Sequence, residues 1–283
     1  MNDEIRNEVR KTYGKIARQG SSCCGSGSSC CGSGIAQVIS EKIGYSGDDM
    51  SSVPEGANLG LGCGNPVALA SLKPGEVVLD LGSGAGFDCF LASAKVGPEG
   101  KVIGVDMTPE MLEKARGNAA KGNYRNVEFR LGEIENLPVA DNSVDIVISN
   151  CVINLSVNKA RVFEEAYRVL KPGGRLMVSD IVTLKALPDS IRNSLAAYVA
   201  CISGALMKAD YLKAVEEAGF TGVKIMDEAI FPLDCIVGDA SAGVITEEIE
   251  ITPGQIKEAA DSIASLKVYG LKADRESPDS MRR

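Results

Sequence analysis

The sequence lacks histidine and tryptophan entirely, and the absence of histidine excludes several kinds of chemistry. Without an imidazole the chain can build neither a Ser-His-Asp triad nor a Cys-His pair, and it can offer no histidine ligand to a metal. Any acid or base that takes part in catalysis must therefore be an Asp, Glu, Lys, Tyr or Cys side chain.

An excess of positive charge and long apolar segments are also missing. The 283 residues include 30 Lys and Arg against 38 Asp and Glu, a net charge of −8 that argues against nucleic acid or an anionic membrane surface as a partner. No stretch approaches the roughly 20 apolar residues of a membrane-spanning helix, and the first ten residues are too polar for a secretory signal. We therefore expect a cytoplasmic protein.

Short apolar segments alternate with helical segments from residue 76 onwards, and this alternation predicts the fold. The apolar segments are rich in β-branched residues nearly throughout, which is typical of a parallel sheet covered on both faces. Strands are expected at residues 76–81, 101–106, 127–131, 144–149 and 174–180, and helices at 87–96, 109–122 and 159–170. Right-handed crossovers would join these units into a doubly wound, Rossmann-like α/β sheet.

The flanking regions are less regular. An amphipathic helix is expected at residues 3–19, and it is followed at 21–34 by the unit SSCCGSG written twice, which should form a flexible Cys-rich loop because it can bury almost nothing. The remaining expectations are a short helix at 35–43, a loop as far as residue 64, helices at 188–202 and 208–218, strands at 224–231 and 265–271, and a frayed tail after residue 273.

A glycine-rich turn follows the first predicted strand and points to a nucleotide site. Gly82, Gly84 and Gly86 allow a tight turn and a close approach of a ligand, at the sheet edge where such ligands bind. The spacing G-x-G-x-G differs from the dinucleotide pattern, and two carboxylates, Asp80 and Asp88, bracket the turn. Carboxylates repel a pyrophosphate and suit the ammonium and sulfonium of S-adenosylmethionine, although an NAD site or simple turn glycines are alternatives.

Other residues at the same edge complete the expected cofactor site. Asp106 ends the second strand and is placed to accept hydrogen bonds from both ribose hydroxyls, while Met107 could pack on the adenine. Glu133 and Ile134 end the third strand and could meet the adenine edge. The expected cofactor-binding residues are Asp80, Gly82, Ser83, Gly84, Gly86, Asp106, Met107, Glu133, Ile134 and Asn150.

The segment DLGSGAG, the later VD, NLP at 136–138 and VLKPGG at 169–174 resemble the class I S-adenosylmethionine-dependent methyltransferases. The resemblance covers roughly residues 65–230. It implies a methyltransferase sheet at 65–235, preceded by an N-terminal helix, Cys-rich loop and lid at 1–64. A small C-terminal module and tail would occupy 236–283.

Nine cysteines are many for a chain of this length, and in a cytosolic protein they favour ligation or redox chemistry over structural disulfides. Cys151 follows Asn150 after the fourth strand, at the cofactor edge, and Cys63 lies between glycines that should expose its sulfur. Cys201 lies late in a predicted helix and taken alone is more often a core residue. Cys89 is expected to pack against the sheet, and no role is assigned to Cys235.

Thiolates select soft centres, and trivalent arsenic takes three sulfur ligands in a pyramid that leaves its lone pair free. The segments LGCGNPVALASLKPGEVVLDLGSGAGFDCFLA, SNCVINL and CISGAL together resemble the arsenite methyltransferases. The resemblance implies that Cys63, Cys151 and Cys201 bind arsenic(III). It also implies that an N-terminal cysteine pairs with Cys63 during turnover. The redox candidates for that role are Cys23, Cys24, Cys30 and Cys31.

The resulting hypothesis is an enzyme that methylates arsenite, and then methylarsenite, with S-adenosylmethionine. Arsenite would arrive as a thiol adduct, and thioredoxin or glutathione would reduce the disulfide formed during turnover. Two alternatives stay open: a class I methyltransferase for a small organic acceptor such as a quinone or sterol, and a thiol-based metal- or metalloid-binding protein. The two cysteine doublets, Cys23-Cys24 and Cys30-Cys31, are also compatible with a simple flexible linker.

Overall fold

The computed structural model describes residues 2–19, 32–230 and 262–274, and for Gln19 and residues 32–35 it describes the backbone alone. Cys23, Cys24, Cys30 and Cys31, and with them the expected flexible Cys-rich loop, lie outside the described residues, as does Cys235. Among the described helices, none is long and apolar enough to cross a membrane.

The described strands form one seven-stranded sheet in the order β3-β2-β1-β4-β5-β7-β6. The strands are β1 (Val77–Leu81), β2 (Lys101–Asp106), β3 (Val127–Leu131), β4 (Val144–Asn150), β5 (Leu170–Thr183), β6 (Thr221–Ile230) and β7 (Ile263–Leu271). The first five pair in parallel, as the βαβ alternation predicts. The doubly wound α/β sheet is therefore confirmed.

The helices cover both faces of this sheet. They are α1 (Asn2–Gln19), α2 (Gly32–Lys42), α3 (Gly47–Ser51), α4 (Pro66–Leu69), α5 (Phe87–Val96), α6 (Pro109–Lys121), α7 (Lys159–Val169), α8 (Asp189–Arg192), α9 (Leu195–Val199) and α10 (Lys208–Glu217). Alternate strand residues belong to different cores: Val78 packs in the same cluster as Phe90 of α5, and Leu79 in the same cluster as Phe163 of α7. Two-sided burial explains why the strands read as continuous apolar segments.

The last described strand belongs to the main sheet, which differs from the expected boundary at residue 235. β7 lies between β5 and β6 and pairs antiparallel with both. It pairs with residues 175–183 of β5 on one side and with residues 221–230 of β6 on the other. Residues 263–271 therefore complete the main sheet instead of forming a separate C-terminal module. β5 also extends beyond the predicted residues 174–180 at both ends: pairing with β7 continues it to Thr183, and Leu170 at its start pairs with Val144 of β4.

Two regions differ locally from expectation. The helix predicted over 188–202 is split into α8 and α9, because Ser194 accepts a hydrogen bond from the amide of Ala197 and so begins a new helix. The loop expected before residue 64 contains α3, whose capping box joins Ser46 and Asp49.

The N-terminal helix lies over the carboxyl edge of the sheet, against α6 and α9. Val9 and Ile16 bury the apolar side that helical spacing predicts. Arg10 reaches Glu133 at 3.4 Å, and Arg18 pairs with Glu110 of α6. This helix therefore closes the side of a cavity that opens at the sheet edge.

Candidate active site

The cavity lies where β1, β2 and β4 end, and residues from the glycine turn, α1 and the segment around α9 line it. Most of the expected cofactor residues line it: Asp80, Gly82, Ser83, Gly84, Asp106, Met107, Ile134 and Asn150. Cys151 and Cys201 line it as well. One cavity thus contains both the nucleotide turn and two of the three candidate arsenic ligands.

The glycines of the turn are required by geometry. Gly82 and Gly86 have φ values of 67° and 95°, in the region that favours glycine. A Cβ at Gly82 would lie 2.3 Å from Val152, and one at Gly86 would lie 2.8 Å from Phe90 and Phe129. Gly86 does not line the cavity, but it lets α5 begin directly behind the turn.

Two buried carboxylates face the cavity without a protein cation. Asp80 and Asp88 are 3% and 7% exposed, and among the residues that the structure describes no Lys or Arg side chain pairs with either. Burial raises the pKa of Asp80, as does the charge of Asp88. Burial also raises the pKa of Asp88 to about 6. The pair therefore forms a site that favours an external cation.

Backbone amides hold a third carboxylate, that of Asp106, at the cavity. Asp106 accepts hydrogen bonds from the amides of Gly84 at 2.9 Å and Thr108 at 2.8 Å. Burial raises its pKa, and these bonds act in the opposite direction. They fix the carboxylate at the cavity wall while lone pairs stay available to a ligand.

Glu133 is placed differently from the other expected cofactor residues. It is absent from the cavity wall, and its carboxylate pairs with Arg10 of α1. The neighbouring Gly132, Ile134 and Glu135 line the cavity in its place. Since α1 is distant in sequence, nothing near Glu133 indicates that its carboxylate turns towards this helix.

Asn150 joins the cofactor end of the cavity to the segment that contains Cys63. Its Oδ1 accepts the amide of Cys63 at 3.0 Å, and its Nδ2 donates to the carbonyl of Gly64 and the hydroxyl of Tyr45, both at 2.8 Å. Nδ2 also lies 3.1 Å from Asp88, which accepts a 2.6 Å hydrogen bond from Tyr45. Tyr45 is a member of this network that the sequence analysis missed.

Cys63 is buried, which corrects the expectation that flanking glycines expose its sulfur. The side chain is 2% exposed, and its Sγ lies 3.8 Å from the Oγ of Ser179. A Cβ at Gly62 would lie 2.8 Å from Asn150, and one at Gly64 would lie 2.0 Å from the hydroxyl of Ser179. Because neither glycine has a side chain, the backbone packs directly against the sheet edge, and Cys63 between them is buried.

Cys151 and Cys201 share an uncommon backbone conformation. Their φ values are +59° and +62°, a left-handed region that costs a non-glycine residue on the order of 1–3 kcal/mol. The thiol of Cys201 donates to the carbonyl of Cys151 at 2.9 Å. Such strain is found preferentially at functional sites, and here it directs two thiols towards one cavity.

The three candidate ligands come together as one cluster of free thiols. The sulfurs of Cys63 and Cys151 and a carboxylate oxygen of Asp180 all lie within 4.8 Å of one another. Hydrogen bonds with the thiols of Cys201 and Cys63, together with burial, raise the pKa of Cys151 well above its ordinary value. Burial also raises the pKa of Cys63, so the protons of these two thiols are held until a thiophilic centre displaces them.

Asp180 was missed by the sequence analysis, although it ends the predicted fifth strand. It is fully buried, and burial raises its pKa to about 7. Its carboxylate accepts hydrogen bonds from the Tyr211 hydroxyl at 3.2 Å and the amide of Ile181. The available signal was its position at the carboxyl edge, which it shares with Asp80, Asp106 and Asn150.

Cys89 packs in the core as expected, and it has a second contact. It is fully buried in α5, and its thiol donates to the carboxylate of Asp80 at 3.2 Å. The cavity residues Arg6 and Tyr13 of α1 were also not anticipated, because a helix far away in sequence supplies them.

A methyltransferase-domain family model matches residues 72–219. The arsenite methyltransferase of Halobacterium salinarum is 54% identical over 230 residues, which are 79% of this chain and 59% of that protein. The one of Aquipseudomonas alcaligenes is 37% identical over 238 residues, 79% of this chain and 64% of that protein. The chain thus spans about three fifths of the length of these relatives.

A solved structure gives the same result. The arsenic(III) S-adenosylmethionine methyltransferase of Chlamydomonas reinhardtii is 32% identical, with a TM-score of 0.60, over 86% of this chain and 74% of that one. With the family model covering just over half of the chain, the chain belongs to the methyltransferase-domain family and, within it, to the arsenite methyltransferases.

Proposed function

We propose that this chain binds S-adenosylmethionine and methylates trivalent arsenic held on Cys63, Cys151 and Cys201. The observation that carries the proposal is the meeting of these three thiols, from distant parts of the sequence, beside the cavity of the nucleotide turn. The names of its relatives support arsenite as the substrate and S-adenosylmethionine as the methyl donor.

The donor set of the cavity fits the cofactor. Asp80 and Asp88 supply the buried negative charge that a methionine ammonium requires, and Asp106 offers free lone pairs to ribose hydroxyls. The Ser83 hydroxyl is buried at the cavity without a hydrogen-bond partner among the described residues, so it is available to a ligand. Met107 and Ile134 provide apolar surface for the adenine. When bound, S-adenosylmethionine supplies an electrophilic methyl group.

The thiols determine what accepts that methyl group. Arsenic(III) on three sulfurs keeps its lone pair, so the acceptor is already nucleophilic and needs no general base. Cys151 and Cys201 lie at the cavity wall, whereas Cys63 is buried behind them, which favours entry of arsenic from the cavity side. Holding both reactants in one cavity would contribute up to about 7–11 kcal/mol through proximity alone.

Transfer of a methyl cation leaves the arsenic formally pentavalent, and two electrons must be returned to it. Two thiolates supply these electrons when they join as a disulfide, which an external thiol system, thioredoxin or glutathione, then reduces. We propose that Cys63 is one partner and that a cysteine of the doublets, Cys23, Cys24, Cys30 or Cys31, is the other. These doublets lie between α1 and α2, both of which contact the segments around the cavity.

The test is mass spectrometry of arsenic species after incubation with arsenite, a thiol and S-adenosylmethionine. Cys151→Ser and Cys201→Ser are expected to abolish methylarsenic formation, and Cys235→Ser, the matched cysteine control, is expected to leave it unchanged. Undiminished methylation by Cys151→Ser would refute the coordination proposal. Consumption of S-adenosylmethionine that does not depend on arsenite would favour an organic acceptor instead.

The reductive role of the doublets is tested separately. Replacing all four of their cysteines by Ser should slow multiple turnover much more than the first methyl transfer, because only regeneration needs them. An equal loss in single-turnover experiments would contradict a purely reductive role.

A further inference from the structure

The thiol cluster contains a fourth group that trivalent arsenic does not need. The carboxylate of Asp180 lies within 4.8 Å of the sulfurs of both Cys63 and Cys151. Cys201, whose thiol contacts the backbone of Cys151 and hydrogen-bonds its sulfur, completes a set of four possible ligands. Arsenic uses three sulfurs in a pyramid, so this carboxylate has no part in the proposed coordination.

Four ligands of this kind are what a tetrahedral thiophilic dication requires. Zinc–sulfur and zinc–oxygen bonds of about 2.3 and 2.0–2.2 Å place neighbouring ligand atoms roughly 3.5–3.8 Å apart. The ligand atoms of Cys63, Cys151 and Asp180 lie within 4.8 Å of one another already, so side-chain shifts of about 1 Å bring these three to such distances. The thiol of Cys201, which lies 2.9 Å from the carbonyl of Cys151, must turn from that carbonyl to become the fourth ligand. Hard cations such as Mg²⁺ and Ca²⁺ prefer six or more oxygen ligands and do not fit here.

We infer that the cluster is also a binding site for a thiophilic divalent cation, Zn²⁺ or Cd²⁺, with Cys63, Cys151, Cys201 and Asp180 as its four ligands. Binding would exchange the three thiol protons and any proton on the carboxylate for the cation. A dication in this site has no lone pair to accept a methyl group. It would therefore act as a dead-end inhibitor that competes with arsenic for the same thiols.

The surroundings of the cluster favour such a complex. Three thiolates and a carboxylate around a dication have a net charge of −2, and the half-buried Lys159 interacts favourably with both Asp180 and Cys201. Lys159 is held in place by a 2.9 Å hydrogen bond from its Nζ to the carbonyl of Ser156. The carboxylate itself is oriented by the Tyr211 hydroxyl and the amide of Ile181, as oxygen ligands of metals usually are.

The proposal predicts that Asp180 distinguishes the dication from arsenic. Cd²⁺ is the probe, because Cd–thiolate bonds absorb in the ultraviolet and this chain has no tryptophan to obscure the signal. The titration uses the full chain with Ser at positions 23, 24, 30, 31 and 235, so that Cys89 is the sole cysteine outside the cluster. We expect one Cd²⁺ per chain, and Asp180→Asn should weaken its affinity at least about tenfold.

Two measurements separate coordination from a general structural effect. Tyr211→Phe removes a hydrogen bond from the carboxylate but keeps the ligand, so it should weaken Cd²⁺ binding by less than Asp180→Asn does. Arsenite, titrated into the Asp180→Asn variant, should bind as in the background protein because all three sulfurs are intact.

The expected competition between the dication and arsenic rests on the proposed function, but the binding measurements can fail separately for the two proposals. Absence of a Cd²⁺ site, equal Cd²⁺ affinity with and without the carboxylate, or equal losses of Cd²⁺ and arsenite binding in Asp180→Asn would each overturn the inference. A Cd²⁺ site that depends on Asp180 in a protein that does not bind arsenite would instead refute the arsenic proposal and leave the dication site standing.

Discussion

Substitution of Gly64 by Ala tests whether close packing at the sheet edge holds Cys63 in place. A Cβ at this position would lie 2.0 Å from the Oγ of Ser179 and 3.0 Å from its Cβ. Gly64 does not have a positive φ, so the strain is purely steric. We expect a loss of about 1–3 kcal/mol in the free energy of unfolding, the usual range for overpacking.

The functional effect should exceed the loss of stability. Gly64 follows Cys63 directly, and both are tied to Asn150 by hydrogen bonds. Moving the backbone away from Ser179 therefore displaces one of the three proposed arsenic ligands. Since a misplacement of about 1 Å can cost 10²-fold in rate, methylation should fall by roughly that factor.

The assay combines urea unfolding with arsenite methylation at saturating S-adenosylmethionine. Gly117→Ala, in the open middle of α6, is the matched control and should be neutral or slightly stabilising. Adding Ser179→Ala to Gly64→Ala removes the closest contact and should restore part of the activity. A Gly64→Ala protein with wild-type stability and methylation would refute the argument that this contact positions Cys63.

Three further changes probe the cofactor end and the framework. Burial raises the pKa of Asp88 to about 6, so the affinity for S-adenosylmethionine, measured by calorimetry, should weaken as the pH falls through 6. Asp88→Asn should flatten that dependence. An unchanged pH profile in the variant would contradict a role of Asp88 in cofactor binding. Cys89→Ala removes the thiol that donates to Asp80 and should weaken cofactor binding by about 1 kcal/mol, with recovery in Cys89→Ser; equal affinity in all three proteins would argue against the contact. Glu76 and Arg175 form an ion pair with two hydrogen bonds. Burial raises the pKa of the Glu76 carboxyl, but the pair lowers it by more, so the net shift is downward. The stabilisation from this pair is therefore present above the unfolded pKa of Glu76 and is lost as the pH falls through the lowered value. Glu76→Gln should cost about 1–3 kcal/mol at pH 7 in thermal unfolding and much less at acid pH, and a pH-independent difference would contradict this assignment.

Much of the sheet was predictable because both of its faces are buried. β1, β2 and β4 are mostly apolar segments with a polar residue at or next to the carboxyl end, so Asp80, Asp106 and Asn150 were expected at one edge and are found there. The clustering of the three cysteines came from resemblance to a family, since no local pattern relates positions 63, 151 and 201.

What sequence reasoning missed depends on long-range contacts. The insertion of β7 between β5 and β6 is an antiparallel pairing across a long intervening segment, and its residues read equally well as part of a separate module. The burial of Cys63 follows from Ser179 and Asn150, which lie far along the chain. The position of Glu133 outside the cavity wall follows from its pairing with Arg10, which belongs to a helix far away in sequence.

X-ray absorption spectroscopy of bound arsenic tests the central claim most directly. In the full chain with Ser at positions 23, 24, 30, 31 and 235, arsenite should show three sulfur neighbours and no oxygen. Each single change to Ser at Cys63, Cys151 or Cys201 should lower the sulfur count to two. Three sulfur neighbours that persist in the Cys151→Ser variant would contradict the account.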